Sequence, residues 1–476
     1  MKQYFLSMTE DKYLYERAVL DCFQSKWRRN DVLSFIEKYA GIPRHEILIN
    51  ELELYEDRLS EHEHNHMKIE AIQSCGLALE ETIAQILDGE DPEDVEPPRI
   101  RKRPDGMTGK IRDIALLSIM HQLIEHTAFL LLQPLFQKKL YPTQHASIPK
   151  HGQTRLKNQI YRYLRSGLPI RCFVKTDMKH AYASVQYSVV ADLLKKDIPS
   201  ATHIIKIIEY LGKLAPDGHL IIGGYLDAWL YNYVMSKIME KGYSIGYVRR
   251  GKFMRCAVRL VTFMDDMWIS ASSIKSIKKI LRVLEKYASE ELHMTLKVTT
   301  GISKLLTIEE ENRRRTLNGA KRGCPVVDMG GYKISRSHVV IRRRVFIRVR
   351  RQLIRAWRDY EKTGTIGIQR AFRLISYNGY LKQTNSENLI ARYHVPLLMR
   401  IAKRVVAFHA RLAFRKRMEK LNDLRERTII FAASVGGNRR TAGRPAENYH
   451  FQRYLGNTRR RRNTIPVQGS SVHCAG

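Results

Sequence analysis

Residues 258–271 read VRLVTFMDDMWISA, an apolar run broken at its middle by two adjacent acids, Asp265 and Asp266. Neighbouring side chains on a β-strand project to opposite faces. A continuous strand would therefore force one carboxylate into an apolar layer, where an unpartnered charge is costly. A turn at the centre removes the conflict and leaves two strands carrying their acids at one hairpin end. Such a crowd of negative charge persists most readily where divalent cations neutralise it.

A second strand-like run, IRCFVKTDM at 170–178, contains Asp177, 88 positions before Asp265. Two strands that deliver acids to one sheet edge can hold two Mg²⁺ ions roughly 4 Å apart, the geometry used for in-line phosphoryl transfer. In that chemistry the protein supplies position and charge rather than covalent catalysis. Helical spacing recurs at 115–140, after Asp177, and at 203–213, 226–240 and 273–290. Strands alternating with helices predict an α/β or α+β core with a mixed sheet.

The chain has 476 residues with 44% hydrophobic composition, enough for several domains with their own cores. It carries 82 Lys+Arg against 48 Asp+Glu, a formal net charge of +34. A polyanion, first of all nucleic acid, is the partner such a charge selects. Residues 1–97 hold 10 basic and 22 acidic residues (−12), which leaves +46 on residues 98–476. Six scattered cysteines without a CxxC pair argue against a zinc ribbon and a disulfide framework. No apolar run reaches the roughly 20 residues of a bilayer span, and the first residues lack the apolar core of a leader. The expectation is a soluble cytoplasmic protein with no membrane partner.

Spacing near 3.6 at 8–40 and 66–88 predicts amphipathic helices. EHEHNH (61–66) between them reads as a solvated polar loop, and DGEDPEDVEPP (88–98) as a linker. RIRKRPDGMTGKIRDI (99–114) predicts a hairpin with a cationic tip around Pro104-Asp105-Gly106. Residues 342–425 read as Arg-rich amphipathic helices facing phosphate, and the polar sequence beyond about 432 as a flexible tail.

Seven blocks in order, from about 99 to 385, resemble the reverse transcriptases. FVKTDMKHAYASV resembles their first catalytic motif, and FMDD their aromatic-x-Asp-Asp box, with Phe263 where Tyr is more usual. RKRPDGMTGKIRDI is similar to the fingers segment, and QHASIPKHGQ (144–153) to the block before the first catalytic strand. GHLIIGGYLDAWLYNYVMSKI (218–238) resembles the template-and-nucleotide-positioning motif, VVDMGGYKIS (326–335) the primer grip and ISYNGYLKQTNSENL (375–389) a thumb segment of bacterial retroelement enzymes. The resemblance implies an α+β right-hand polymerase with fingers, a palm bearing a mixed or antiparallel sheet, and a helical thumb. Its expected divisions are an acidic helical extension (1–97), fingers and palm (98–325), primer grip and basic thumb (326–430) and an Arg/Gly-rich tail (431–476).

Carried over residue by residue, Asp177, Asp265 and Asp266 become the catalytic and metal-binding carboxylates for two Mg²⁺ ions, with Mn²⁺ as a substitute. Lys110 and Arg112 would grip the incoming triphosphate, and Tyr182 would bar a ribose 2′-OH. Gly223 and Gly224 would let backbone approach the nucleotide, and Met329, Gly330, Gly331 and Tyr332 would form the primer grip. Asn232 matches an Asn often found on the helix after the positioning motif. Lys297 and Lys304 are both candidates for the general acid.

Asp227-Ala228 departs from the usual Ser-Gln or Pro-Gln-Gly, which puts a carboxylate where a polar group near template or nucleotide is expected. The implied activity is RNA-directed DNA synthesis from dNTPs on a dedicated noncoding RNA, giving cDNA, in a bacterial cytoplasm. A phage-defence setting leads. The alternatives are a diversity-generating retroelement enzyme, template-independent or protein-primed synthesis, and a catalytically weak maturase-like RNA scaffold. The acidic extension would contact an accessory protein or another copy of the chain.

Overall fold

The computed structural model describes residues 11, 13–53, 61–104, 111–318 and 324–434. Helices α1 (Leu14–Phe23), α2 (Asn30–Ala40), α3 (Arg44–Glu53) and α4 (Glu61–Asp88) come first. In α1, Leu14, Ala18, Val19 and Cys22 form one buried stripe, the spacing of a helix with a single core-facing side. EHEHNH is not a loop: α4 begins at Glu61, because the six residues contain neither Gly nor Pro and continue the helix that the apolar residues behind them stabilise. The connection at 89–98 is non-helical, as its prolines require, but it is tied down. Lys213 Nζ lies 2.5 Å from Asp91, Lys206 donates to the Leu87 carbonyl at 2.6 Å, and Val95 is buried.

Strands β1 (Arg99–Pro104) and β2 (Ile111–Leu116) pair antiparallel from Arg99↔Leu116 to Pro104↔Ile111, as the basic repeat predicts; residues 105–110 of the expected tip lie outside the described residues. Helix α5 (Ile119–Lys139) is capped by Ser118, whose hydroxyl accepts from the His121 amide. Then follow α6 (Gln153–Arg165), β3 (Cys172–Met178), α7 (Tyr187–Asp197), α8 (Thr202–Leu214) and α9 (Tyr225–Ser244). A short ribbon, β4 (Gly246–Arg249) and β5 (Lys252–Arg255), leads into the hairpin β6 (Ala257–Phe263) and β7 (Asp266–Ala271). Helix α10 (Ile274–Leu292), β8 (Leu296–Val298), β9 (Ser303–Lys304) and α11 (Ile308–Asn318) complete this part.

The central sheet has the order β6-β7-β3-β8, with β9 also on β3, and every named pair is antiparallel. Of the mixed or antiparallel sheet expected, the antiparallel form is found: the long excursion after β3 returns the chain one strand away, at β6, and the tight β6–β7 hairpin fills the gap with an antiparallel neighbour. Side-chain alternation gives the sheet two covered faces. Phe173, Val261 and Trp268 pack with Leu156 and Ile160 of α6, while α9 and α10 lie against the strands on helical stripes that include Ile277, Ile280 and Leu284. Along β6, the Thr262 amide donates to the Thr143 carbonyl at 3.0 Å, and the His145 amide donates to the Thr262 carbonyl at 3.1 Å. Asn232 of α9 holds the same segment: its Nδ2 donates to the Ala146 carbonyl at 3.0 Å, and Gln144 Nε2 donates to the Asn232 carbonyl at 2.8 Å.

Strands β10 (Val327–Met329), β11 (Tyr332–Ile334) and β12 (Val339–Ile341) form a second antiparallel sheet on α6. Helices α12 (Arg343–Thr363), α13 (Ile368–Lys382), α14 (Glu387–Arg392) and α15 (Val395–Ser434) follow. In α12, Val345, Val349, Leu353 and Ala356 are buried and the arginines occupy the remaining surface. The protein is therefore α+β. The chain divides into two compact units, Met1–Glu419 and Lys420–Gly476. Of the second unit the described part is helical through Ser434, and the rest of the expected tail lies outside the described residues.

Candidate active site

The acids sit where the hairpin reading puts them. Phe263 pairs with Asp266, so Met264 and Asp265 form a two-residue loop. Met264 has φ +54°, a left-handed conformation that costs a side-chain-bearing residue roughly 1–2 kcal/mol. His180, two residues past β3, has φ +54° as well. Backbone strain of this kind clusters at functional sites. The Met178 amide donates to the Asp265 carbonyl at 3.1 Å and pins the loop to β3.

Asp177 faces Asp266 on β7 and Lys297 on β8 in direct cross-strand register, which places all three on one face of the sheet. The electrostatics of the acids differ. Burial, then the charges of Asp266 and Asp177, push Asp265 up to about 6. Burial also raises Asp266, opposed by Lys175, whose Nζ lies 2.7 Å from Asp266 Oδ1. Asp266 therefore has a cation of its own, whereas Asp265 is held against a second carboxyl, that of Asp177. No group of three or more His, Cys, Asp or Glu side chains that could hold a metal ion is found among the described residues. The donor set that fits a divalent ion here is the pair Asp177 and Asp265. Such a pair matches the habit of Mg²⁺, which is held by one or two carboxylates with water and substrate phosphate completing its shell.

Asp265 and Asp266 open onto a cleft of about 530 Å³ whose other wall is the Gly330–Gly331 turn with Asp328, Arg342 and Arg344. In the expected primer grip only that turn reaches the cleft. Met329 and Tyr332 are 0% and 2% exposed and belong to the core beneath it. Gly331 has φ +85°, and a Cβ there would stand 2.9 Å from the Tyr380 ring, so backbone alone fits.

Tyr182 lies on a short 3₁₀ turn, stacked on Tyr231 with centroids 5.2 Å apart and planes at 21°. Burial first, then Asp227 and Asp265, raise its phenol. Tyr231 is fully buried, its hydroxyl has no hydrogen-bond partner among the described residues, and burial followed by the Asp265 charge raises it strongly. The sequence reading missed Tyr231 because its only signal is a ring at core spacing on an apolar helix. It also missed Lys175, which stands two residues before Asp177 and thus on the same strand face.

The positioning segment turns inward. Gly223 has φ +131°, and a Cβ there would meet the Ala115 carbonyl oxygen at 2.5 Å. The Ala115 amide donates to the Ile222 carbonyl at 2.8 Å, fastening the segment to β2. Asp227 does not reach a template or nucleotide position. It is 0% exposed, and its Oδ1 accepts from the Tyr187 hydroxyl at 2.9 Å and the Ile221 amide at 3.2 Å. Glu125 of α5, also 0% exposed, caps α9 by accepting from the Tyr225 amide at 2.7 Å through Oε2. The other oxygens of both acids, Asp227 Oδ2 and Glu125 Oε1, occupy the space a Cβ on Gly224 would take and have no hydrogen-bond partner among the described residues. One proton held between them would satisfy both: burial, then the Asp227 charge, hold Glu125 well above the carboxylate range, and burial pushes Asp227 up to about 7.

Lys110 lies outside the described residues. Arg112 is exposed on β2, opposite Arg103. The two lysine candidates separate: Lys297 is the cross-strand neighbour of Asp177, while Lys304 pairs with Cys172, about 16 Å further along β3 at the rise of a strand. Asn232 is engaged in packing, as described above, and does not face the cleft.

No protein-family model and no curated protein matches the chain. Among solved structures it is similar to the apo telomerase of Candida tropicalis (TM-score 0.35, 11% identity, 55% of this chain and 52% of that one). It is also similar to the telomerase of Candida albicans in complex with the TWJ fragment of telomeric RNA (TM-score 0.35, 10% identity, 70% and 57%). The C. tropicalis telomerase truncated from its C-terminal domain gives a TM-score of 0.31 at 12% identity, covering 56% of this chain and 60% of that one. The chain thus spans between 52% and 60% of the length of these proteins. No helix among the described residues is long and apolar enough to cross a membrane.

Proposed function

We propose that the protein is an RNA-directed DNA polymerase that copies a noncoding RNA into cDNA by nucleotidyl transfer. The observation that carries the reading is the meeting of Asp177 on β3 with Asp265 and Asp266 of the β6–β7 hairpin, the latter two lining a cleft whose opposite wall is a glycine turn and the arginine-bearing start of α12. Two Mg²⁺ ions, when bound there, supply charge for the attacking hydroxyl and the departing pyrophosphate. Asp177 and Asp265 would hold them, and Lys175 pairs with Asp266 beside them. Lys297, the cross-strand neighbour of Asp177, gives a proton to the leaving group in this reading. Tyr182, braced by Tyr231, blocks the space a ribose 2′-OH would need. The Gly330–Gly331 backbone guides the primer, and Arg112 with the residues of the 99–116 hairpin meets triphosphate or template phosphate.

Fingers and palm at 98–325, primer grip and thumb at 326–430, a phage-defence setting and a protein partner for the acidic N-terminal helices belong to the same proposal. The test is primer extension on an RNA template with Mg²⁺ and labelled dNTPs. Asp265→Ala is expected to reduce incorporation about a thousandfold, the equivalent of about 4 kcal/mol. Full activity in that variant would overturn the assignment.

A further inference from the structure

The ribbon β4–β5 stands apart from this site. Strand β6 begins two residues after the ribbon and ends at the Met264–Asp265 loop, so one strand length, about 20 Å for seven residues, separates the two. Both ribbon faces are open: Val248 is 72% exposed and Phe253 56%, and Tyr247 and Met254 are exposed as well. An isolated two-stranded hairpin is marginal in water. This one is anchored at its base, where the Cys256 amide donates to the Ile245 carbonyl at 2.9 Å and Lys279 donates to the Gly246 carbonyl at 2.8 Å.

Its charge is one-sided. Between Glu240 and Asp265 the chain has no acid, and the ribbon carries Arg249, Arg250, Lys252 and Arg255. The tip is a two-residue turn with both central residues at positive φ, Arg250 at +48° and Gly251 at +70°. Asn, Asp or Gly is the low-cost choice at the first of these positions, yet an arginine is held there in the left-handed region.

The register alternates rings and cations on each face: Tyr247 with Arg249 and Lys252 on one, Phe253 with Arg255 on the other. Cations alone would suit any polyanion. Cations interleaved with exposed rings suit a strand that offers both phosphate and unpaired bases, because each base can stack on a ring. We infer that the ribbon binds single-stranded nucleic acid outside the catalytic cleft. The inference does not depend on polymerase activity, since its readout is binding.

The test uses the full-length protein and a fluorescent 20-nucleotide oligouridylate, with anisotropy followed as a function of salt. Replacing Arg249, Arg250, Lys252 and Arg255 together with Ala is expected to lower the slope of log affinity against log salt by about 3, from four phosphates at roughly 0.7 each. Tyr247→Ala with Phe253→Ala is expected to leave the slope unchanged and weaken binding about tenfold or more. Both variants should keep the wild-type melting temperature, since these side chains are exposed. A charge-keeping control, the three arginines changed to Lys, should retain the slope.

An unchanged slope in the four-Ala variant would overturn the inference. Loss of slope with no effect of the aromatic pair would overturn the single-strand assignment in favour of a general polyanion surface, such as one for an acidic protein. Titration with polyglutamate would then show the same charge dependence.

Discussion

Replacing Glu125 with Gln should make the protein less sensitive to rising pH. In the fold Glu125 and Asp227 are both fully buried, each with an oxygen that a proton shared between them would pair. Both titrate above their unfolded values, so the folded state holds more protons than the unfolded chain across the intervening pH range. Stability contributed there is complete below the unfolded values and is lost as pH rises. For Asp227 the window runs from its ordinary 3.8 to about 7. At about 1.4 kcal/mol for each intervening pH unit, the loss has a ceiling on the order of 4 kcal/mol.

The substituted amide would keep the shape, accept from the Tyr225 amide as Glu125 does, and donate its NH₂ to Asp227 Oδ2. Asp227 could then ionise at lower pH with three donors around it. The assay is the thermal midpoint of wild type and variant at pH 5 and pH 8. The fall between the two should be smaller in the variant by a few degrees, given that about 1 kcal/mol moves the midpoint by roughly 2–4 °C in domains of 150–250 residues. Glu125→Ala should lower the midpoint at both pH values, because it leaves the Tyr225 amide unpaired and opens a cavity. Identical pH dependence in wild type and Glu125→Gln would refute the shared proton.

Two further outcomes follow from the site. Tyr182→Ala should raise ribonucleotide incorporation relative to deoxynucleotide by about 10- to 200-fold, the range a single steric contact supplies; an unchanged ratio in competition primer extension would return Tyr182 to packing against Tyr231. Lys297→Ala should lower single-turnover kcat by about 10²- to 10⁴-fold with little change in KM, the loss expected of a general acid, whereas Lys304→Ala should stay near wild type. Equal effects of the two would remove Lys297 from the proposed role.

What the sequence made legible was what repeats or what conflicts. The β6–β7 hairpin is visible because two acids cannot share an apolar strand, and the β1–β2 hairpin because its basic runs flank the sequence Pro-Asp-Gly. Glu125 was invisible: one acid on an apolar helix reads as a solvated position, and its partner lies 102 residues away. For the same reason Asp227 read as a departure facing the template, when tertiary packing turns it inward onto Tyr187 and Glu125. The EHEHNH segment went astray because polar composition outweighed the absence of any helix breaker. The ribbon has four-residue strands, too short for a period to emerge, and only the structure shows that its rings are left in water.

The backbone of Thr262, with its amide and carbonyl both taken by residues 143–145, has a consequence for assembly. β6 is the outermost strand of the central sheet, and such a border is where another chain could add a strand of its own. Here that docking is blocked at Thr262 by a piece of the same molecule, itself held by Asn232. Self-association by sheet extension is closed along this border near the aspartates.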